Sequence, residues 1–188
     1  MKLKFIFCIF LSILLFSCEK EEITYEEGSS ISYDGEIDGY GYVDLGLPSG
    51  LRWATHNIGT SLPIESGDRF AWGEISTKNN FEESNCKTYG KRMEDFSNNI
   101  EYDAATYNWS KKWRVPTHEE IFELINNCSW NYVEISGIPC IKLTSRINGK
   151  TILFPFTDSR GRYWTSTPGY AEGDEDNENH EYAYQFNF

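Results

Sequence analysis

The sequence predicts an α+β fold in which a mixed antiparallel sheet, one or two helices and long irregular loops share one core. Three observations point there. The first is a helix start: Pro116 lacks a backbone donor, Thr117 is a good N-cap and Glu120 stands three residues on, which makes a capping box. The second is a set of strand-like runs, 130–135, 139–144 and 151–156, separated by the turn dipeptides Ser136-Gly137 and Asn148-Gly149. The third is a polar stretch over 75–100, with Lys78-Asn-Asn80 and Ser97-Asn-Asn99, which reads as a long irregular excursion.

The capped helix carries Ile121, Leu124, Ile125 and Cys128 at spacings of three and four, one apolar stripe, with Glu119, Glu123 and Asn126 left for water. Before it, residues 102–109 suggest a short helical turn. Upstream again, order begins near Tyr40, where residues 41–50 give a short strand and a Pro48-Ser-Gly50 turn, and residues 51–58 read as the returning strand. Period two then puts Leu51, Trp53 and Thr55 on one face and Arg52, Ala54 and His56 on the other, so His56 reads as a packed or surface residue rather than a ligand. Residues 68–74 bring a third aromatic-rich element. The last strands are expected at 161–167 and 181–188, the final one with Tyr182, Tyr184, Phe186 and Phe188 on one buried face.

Ahead of this domain the chain reads as an address. Lys2 and Lys4 precede an apolar run over 5–16, which is secretory signal design. The run is shorter than the roughly 20 residues a membrane span needs. It ends in Leu15-Phe16-Ser17-Cys18, which resembles the lipobox of bacterial lipoproteins, so Cys18 is the expected lipid attachment site. Glu19-Lys20-Glu21-Glu22 is similar to the acidic export signal that takes lipoproteins of Bacteroidota-type bacteria to the outer face of the outer membrane. The expected organisation is a signal peptide at 1–17, an acidic flexible tether at 18–39 and a single domain at 40–188.

Composition narrows the partners. The formal net charge is −12, and loss of Lys2 and Lys4 would make it more negative, so nucleic acid is a poor partner and membrane contact is expected through the lipid anchor. Aromatic residues make up 16% of the chain, more than a disordered segment would carry, which fits a sheet-rich core or a sugar-stacking surface. No Cys-x-x-Cys motif is present, and His56, His118 and His180 stand far apart, so zinc has no support. Residues 172–181 hold six acids, and Asp174, Asp176 and Glu178 are candidate calcium ligands, although the fixed EF-hand spacing is missing and a solvated loop reads as well. No cofactor is otherwise expected. Thr165-Ser-Thr167 supplies hydroxyls without a histidine nearby in sequence, a pattern of strand-face hydroxyls rather than a serine nucleophile.

Cys86, Cys128 and Cys140 remain beyond the leader and anchor. If the strands at 130–135 and 138–143 pair about a turn centred between Ser136 and Gly137, Cys128 and Cys140 are offset by about five residues, too far for a bond that needs Cα atoms within about 7 Å unless the strands bulge or the chain bends after the helix. Cys128 is expected to be a buried thiol.

Six stretches in order resemble one family: Tyr42-Val-Asp-Leu-Gly-Leu-Pro-Ser-Gly50, Trp53-Ala-Thr-His-Asn-Ile-Gly59, Gly67-Asp-Arg-Phe-Ala-Trp-Gly-Glu74, Trp113-Arg-Val-Pro-Thr117, Asn127-Cys-Ser-Trp130 and Tyr163-Trp-Thr-Ser-Thr167. Together they are similar to the Fibrobacter succinogenes major paralogous domain (FISUMP). The resemblance implies a fold like the C-type lectin-like and formylglycine-generating-enzyme-like proteins and a surface or secreted lipoprotein, and it brings no settled activity. It also departs in two places: His56 stands where relatives carry a cysteine, removing a partner for Cys128, and Phe154-Pro-Phe-Thr-Asp158 replaces a Leu-Pro-Ala-Ala-Gly-like run. The cysteines match no copper-binding pair of the oxidase type. The expected function is a non-catalytic, lipid-anchored module on the cell exterior that recognises a glycan or surface protein through loops 75–100 and 157–181. The alternatives are an accessory subunit of a surface appendage or envelope complex, and, third, an enzyme of unknown type.

Overall fold

Thr117 opens the long helix as its sequence requires. In the computed structural model its side chain accepts the Glu120 N–H while the Glu120 carboxylate accepts the Thr117 N–H at 2.9 Å, closing the capping box. The model describes residues 31–157, 161–169 and 183–188. The leader, Cys18, Tyr182 and the calcium candidates Asp174, Asp176 and Glu178 lie outside the described residues.

These residues form an α+β fold of three antiparallel sheets and two helices. The first sheet is β1 (Gly35–Ile37), β2 (Tyr40–Asp44) and β3 (Arg52–Ala54) in that order. Then come α1 (Ala104–Asn108) and α2 (His118–Asn127). The second sheet follows without a loop: β4 (Cys128–Ile135), β5 (Ile138–Ser145) and β6 (Thr151–Pro155). The third pairs β7 (Arg162–Pro168) with β8 (Ala183–Asn187).

All three sheets meet α2 in one core. Val43, Leu45, Ile121, Leu124, Leu143 and Phe154 are buried together, with Trp53, Tyr163, Phe186 and Phe188 packed against them. The chain end is tied in as well, since the Phe188 and Gly161 backbones exchange hydrogen bonds at 3.1 and 3.3 Å. Edge strand β4 leaves Trp130 64% and Tyr132 59% exposed.

Several expectations are corrected here. Order starts before Tyr40, because β1 lies inside the stretch read as tether and pairs with β2 through Asp38 and Gly39, both at positive φ. That is the backbone of a tight primed turn, for which Asp-Gly is a strong signal. The returning strand shrinks to three residues, and the aromatic-rich run 68–74 is irregular. Side chains pin that run instead: the Trp72 indole donates to Thr165 O at 2.8 Å, and buried Glu74 takes Lys78 and the Lys87 N–H, each at 2.8 Å. Ile125 is exposed at the rim of the helical stripe, and Tyr184 is exposed too, stacking on the His118 ring at 4.1 Å.

The cysteines fall as the turn geometry requires. Ser136 and Gly137, both at positive φ, set a register in which Cys140 faces Val133 and Cys128 faces Ser145. That five-residue offset is about 16 Å of strand. Cys86, Cys128 and Cys140 are all free.

Candidate functional site

The residues between β3 and β7 leave one large concave space. It is a cleft of about 820 Å³, bounded by 51–58, 66–70, 104–121, β6 and the start of β7. That size suits a small ligand of several rings. Its floor is the core itself, through Ile121, Ile152 and Phe154.

Its walls are aromatic, and the rings of Trp109, Trp113, Tyr163 and Trp164 are each held by a partner. Trp109 stacks on Tyr40 at 4.5 Å and 17°, and meets the edges of Trp113 at 5.1 Å and His56 at 5.3 Å. Trp113 donates its indole N–H to Ile37 O at 2.9 Å, a bond that makes the unexpected strand β1 a support for the site. Trp164 donates to Phe70 O at 3.1 Å. Tyr163 donates to Pro155 O at 2.7 Å and accepts from Asn57 Nδ2 at 3.1 Å, and burial pushes its phenol pKa far up, so it stays protonated.

Trp53 differs from the others. Its ring packs on the core edge and lines the cleft, yet its indole N–H is buried with no hydrogen-bond partner among the described residues. A buried donor left unpaired costs about 1–3 kcal/mol, so such a group calls for an explanation in the free protein.

The charged groups sort into paired and unpaired. Arg114 and Glu120 form a two-pronged ion pair, and Lys112 reaches Asp38 at 2.8 Å. Arg69 donates to the neutral Thr157 hydroxyl at 3.0 Å, and Arg52 lies 4.7 Å over the Tyr42 ring. Arg162 is exposed and has no polar partner among the described residues. A second, open hollow adjoins the cleft and shares Ile58, Asp68 and Trp109 with it. Its other lining groups include Thr60, Ser61 and Glu65, so a polar ligand could run on from the aromatic part.

Of the residues singled out in the sequence, His56 is half-buried against Trp109 and also lines the cleft. Thr165 and Ser166 are buried, and the three hydroxyls are bound up in structural contacts. Ser166 and Thr167 donate to the Asp95 carboxylate, Thr167 at 2.6 Å, and Thr165 donates to Tyr184 O. Burial works against the Asp95 charge, but hydrogen bonds from Thr167, Ser97 and Ser166 outweigh it and hold the carboxyl below its usual range. Among the described residues no group of three or more His, Cys, Asp or Glu could hold a metal ion.

The loop 75–100, expected to carry function, gives the cleft Phe81 alone; of loop 157–181 the described residues Thr157 and 161–164 line it. Sequence reading missed the site because five segments spread along the chain build it. One signal was available: Trp53, Trp109, Trp113 and Trp164 are four of the six tryptophans and all line this space. No family model matches the chain, and no match was found among curated proteins or solved structures.

Proposed function

We propose that the protein is a non-catalytic, lipid-anchored surface module that binds a saccharide in the Trp53 cleft. The observation that carries this reading is the buried, unpartnered Trp53 indole N–H in a wall of fixed aromatic rings. Sugar rings offer apolar faces that lie against aromatic side chains and hydroxyl oxygens that accept from an indole donor. The donor's desolvation is then already met in the free protein, and a ligand acceptor recovers it once the ring turns its buried N–H toward the cleft.

Two further features support the reading. The leader-like run and Cys18 support a membrane-anchored tether, and the acids at 19, 21 and 22 support its facing the cell exterior. The ordered motifs similar to the FISUMP domain suggest a C-type lectin-like variant of the α+β fold, an analogy of fold that raises the saccharide reading without carrying it.

The test is a glycan array with the full chain in detergent, run with calcium and with a chelator. Binding that disappears in Trp53→Phe supports the proposal, and loss with the chelator would bring in Asp174, Asp176 and Glu178. An empty array under both conditions overturns it. Stoichiometric envelope proteins recovered by crosslinking, beside an empty array, would put an accessory subunit in its place.

A further inference from the structure

We infer that the saccharide is an anionic one, bearing carboxylate or sulfate groups that arginines on the cleft wall read; this rests on the saccharide reading above. The argument is a charge balance. The chain as a whole carries a formal net charge of −12, yet among the described residues five basic side chains line the cleft, Arg52, Arg69, Lys112, Arg114 and Arg162, against two acids, Asp68 and Glu120.

Pairing sharpens the imbalance. Glu120 is consumed by Arg114 and by the Thr117 N–H, and Lys112 is neutralised by Asp38. What is left among the described lining residues is three guanidiniums, Arg52, Arg69 and Arg162, without a carboxylate bonded to them, and one acid, Asp68. Arg52 does pull on Asp34 at longer range, but the Asp34 carboxylate is bonded to Lys150 and to the Asp44 N–H. In a chain with 29 acids and 17 lysines and arginines, such a surplus of unpaired cations in one concavity runs against the composition.

Their placement matters as much as their number. Each guanidinium is the chain neighbour of an aromatic wall residue: Arg52 of Trp53, Arg69 of Phe70 and Arg162 of Tyr163. Strand alternation turns Arg52 away from Trp53 and over the Tyr42 ring, and puts Arg162 on the same face as Trp164, so a ring face and a planar five-donor fork come side by side at Arg162 and Trp164. The ring suits the face of a sugar and the fork suits its carboxylate or sulfate, through paired charge-assisted hydrogen bonds. Guanidiniums keep their charge at every physiological pH, so the selectivity is built in and is not a switch.

The experiment uses the full chain in detergent and a panel of uronate oligosaccharides, each beside its methyl ester, which keeps the sugar and removes the charge. A sulfated neutral chain beside its unsulfated form is the third arm. Expected is tighter binding of at least one anionic form than of its neutral twin, and the arm that shows it identifies carboxylate or sulfate as the source. Arg69→Gln and Arg162→Gln, both at exposed side chains, should each weaken that anionic ligand by about tenfold, the size of one charge-assisted hydrogen bond. They should leave the neutral twin unchanged. Arg92→Gln, exposed and outside the cleft, should change neither. Equal binding of charged and neutral twins, or an equal loss in Arg92→Gln, overturns the inference while leaving the saccharide reading in place. Binding of no member of the panel overturns both.

Discussion

The two tryptophans that share the cleft wall should respond oppositely to the same substitution. Trp113→Phe removes an indole that donates to Ile37 O at 2.9 Å from a side chain 6% exposed. Losing that bond costs about 1 kcal/mol, and the lost ring area, about 40 Å² at about 25 cal/mol/Å², costs about 1 kcal/mol more. Trp53→Phe loses no more area, since Trp53 is only partly buried, and it deletes a donor that has no partner in the free protein. Relief of that desolvation, about 1–3 kcal/mol, offsets or exceeds the area lost. Trp53→Phe should therefore be neutral or stabilising, and the two variants should differ by about 2 kcal/mol in urea unfolding with unchanged slope. If Trp53→Phe costs as much as Trp113→Phe, the Trp53 N–H is satisfied in the free protein and the argument for a waiting donor fails.

Other outcomes follow from the same geometry. Asp95 has its folded pKa depressed, so its contribution to stability should be full above the unfolded value of about 3.9 and vanish as pH falls through the folded value. Urea titrations of Asp95→Asn against the wild type should diverge at neutral pH and converge in acid, and a gap independent of pH would refute this. Burial raises the Cys140 pKa to about 11 and also raises that of Cys128. Alkylation of the native protein should therefore mark half-buried Cys86 and spare the other two until denaturant is added, whereas a disulfide-linked Cys128 and Cys140 peptide pair would contradict the register. Thr117→Ala should lower stability by about 1 kcal/mol through loss of the N-cap, read by thermal unfolding, and no change would mean that Glu120 alone secures the helix start. Gly67→Ala should destabilise more, because φ is +65° there and an added Cβ would come 2.3 Å from Ile58 O; an unchanged melting temperature would count against that loop geometry.

Local chemistry made part of this fold legible. The capping box at Thr117 and Glu120 and the turn at Ser136-Gly137 are rules of adjacent residues, and both the helix and the β4–β5 register follow from them. Strand β1 was hidden because its three residues sit in an acidic run without apolar periodicity, although Asp38-Gly39 marks its turn. Residues 68–74 read as an aromatic-rich element, but besides the nearby Lys78 the partners of Trp72 and Glu74 lie 93 and 13 positions away, which no local pattern encodes. The cleft was illegible for the same reason: its aromatic walls come from β3, the α1–α2 connection and β7, and a sequence has no direct sign that three such segments will face one space. Composition hinted at it through the tryptophan content, and the charge pairing that leaves Arg52, Arg69 and Arg162 over becomes visible only once Glu120 and Asp38 are seen to be taken.

The most direct measurement follows the Trp53 indole proton itself. In a spectrum of ¹⁵N-tryptophan-labelled protein, the Trp53 signal is assigned as the one missing from Trp53→Phe, and the saccharide panel is then added. The expected result is a downfield shift of the Trp53 indole N–H as it gains an acceptor, with Trp109 moving beside it and Trp130, exposed on β4 away from the cleft, unmoved. Saccharide binding that shifts Trp130 and leaves Trp53 in place, or a panel that shifts neither, would contradict the assignment of this cleft as the binding site.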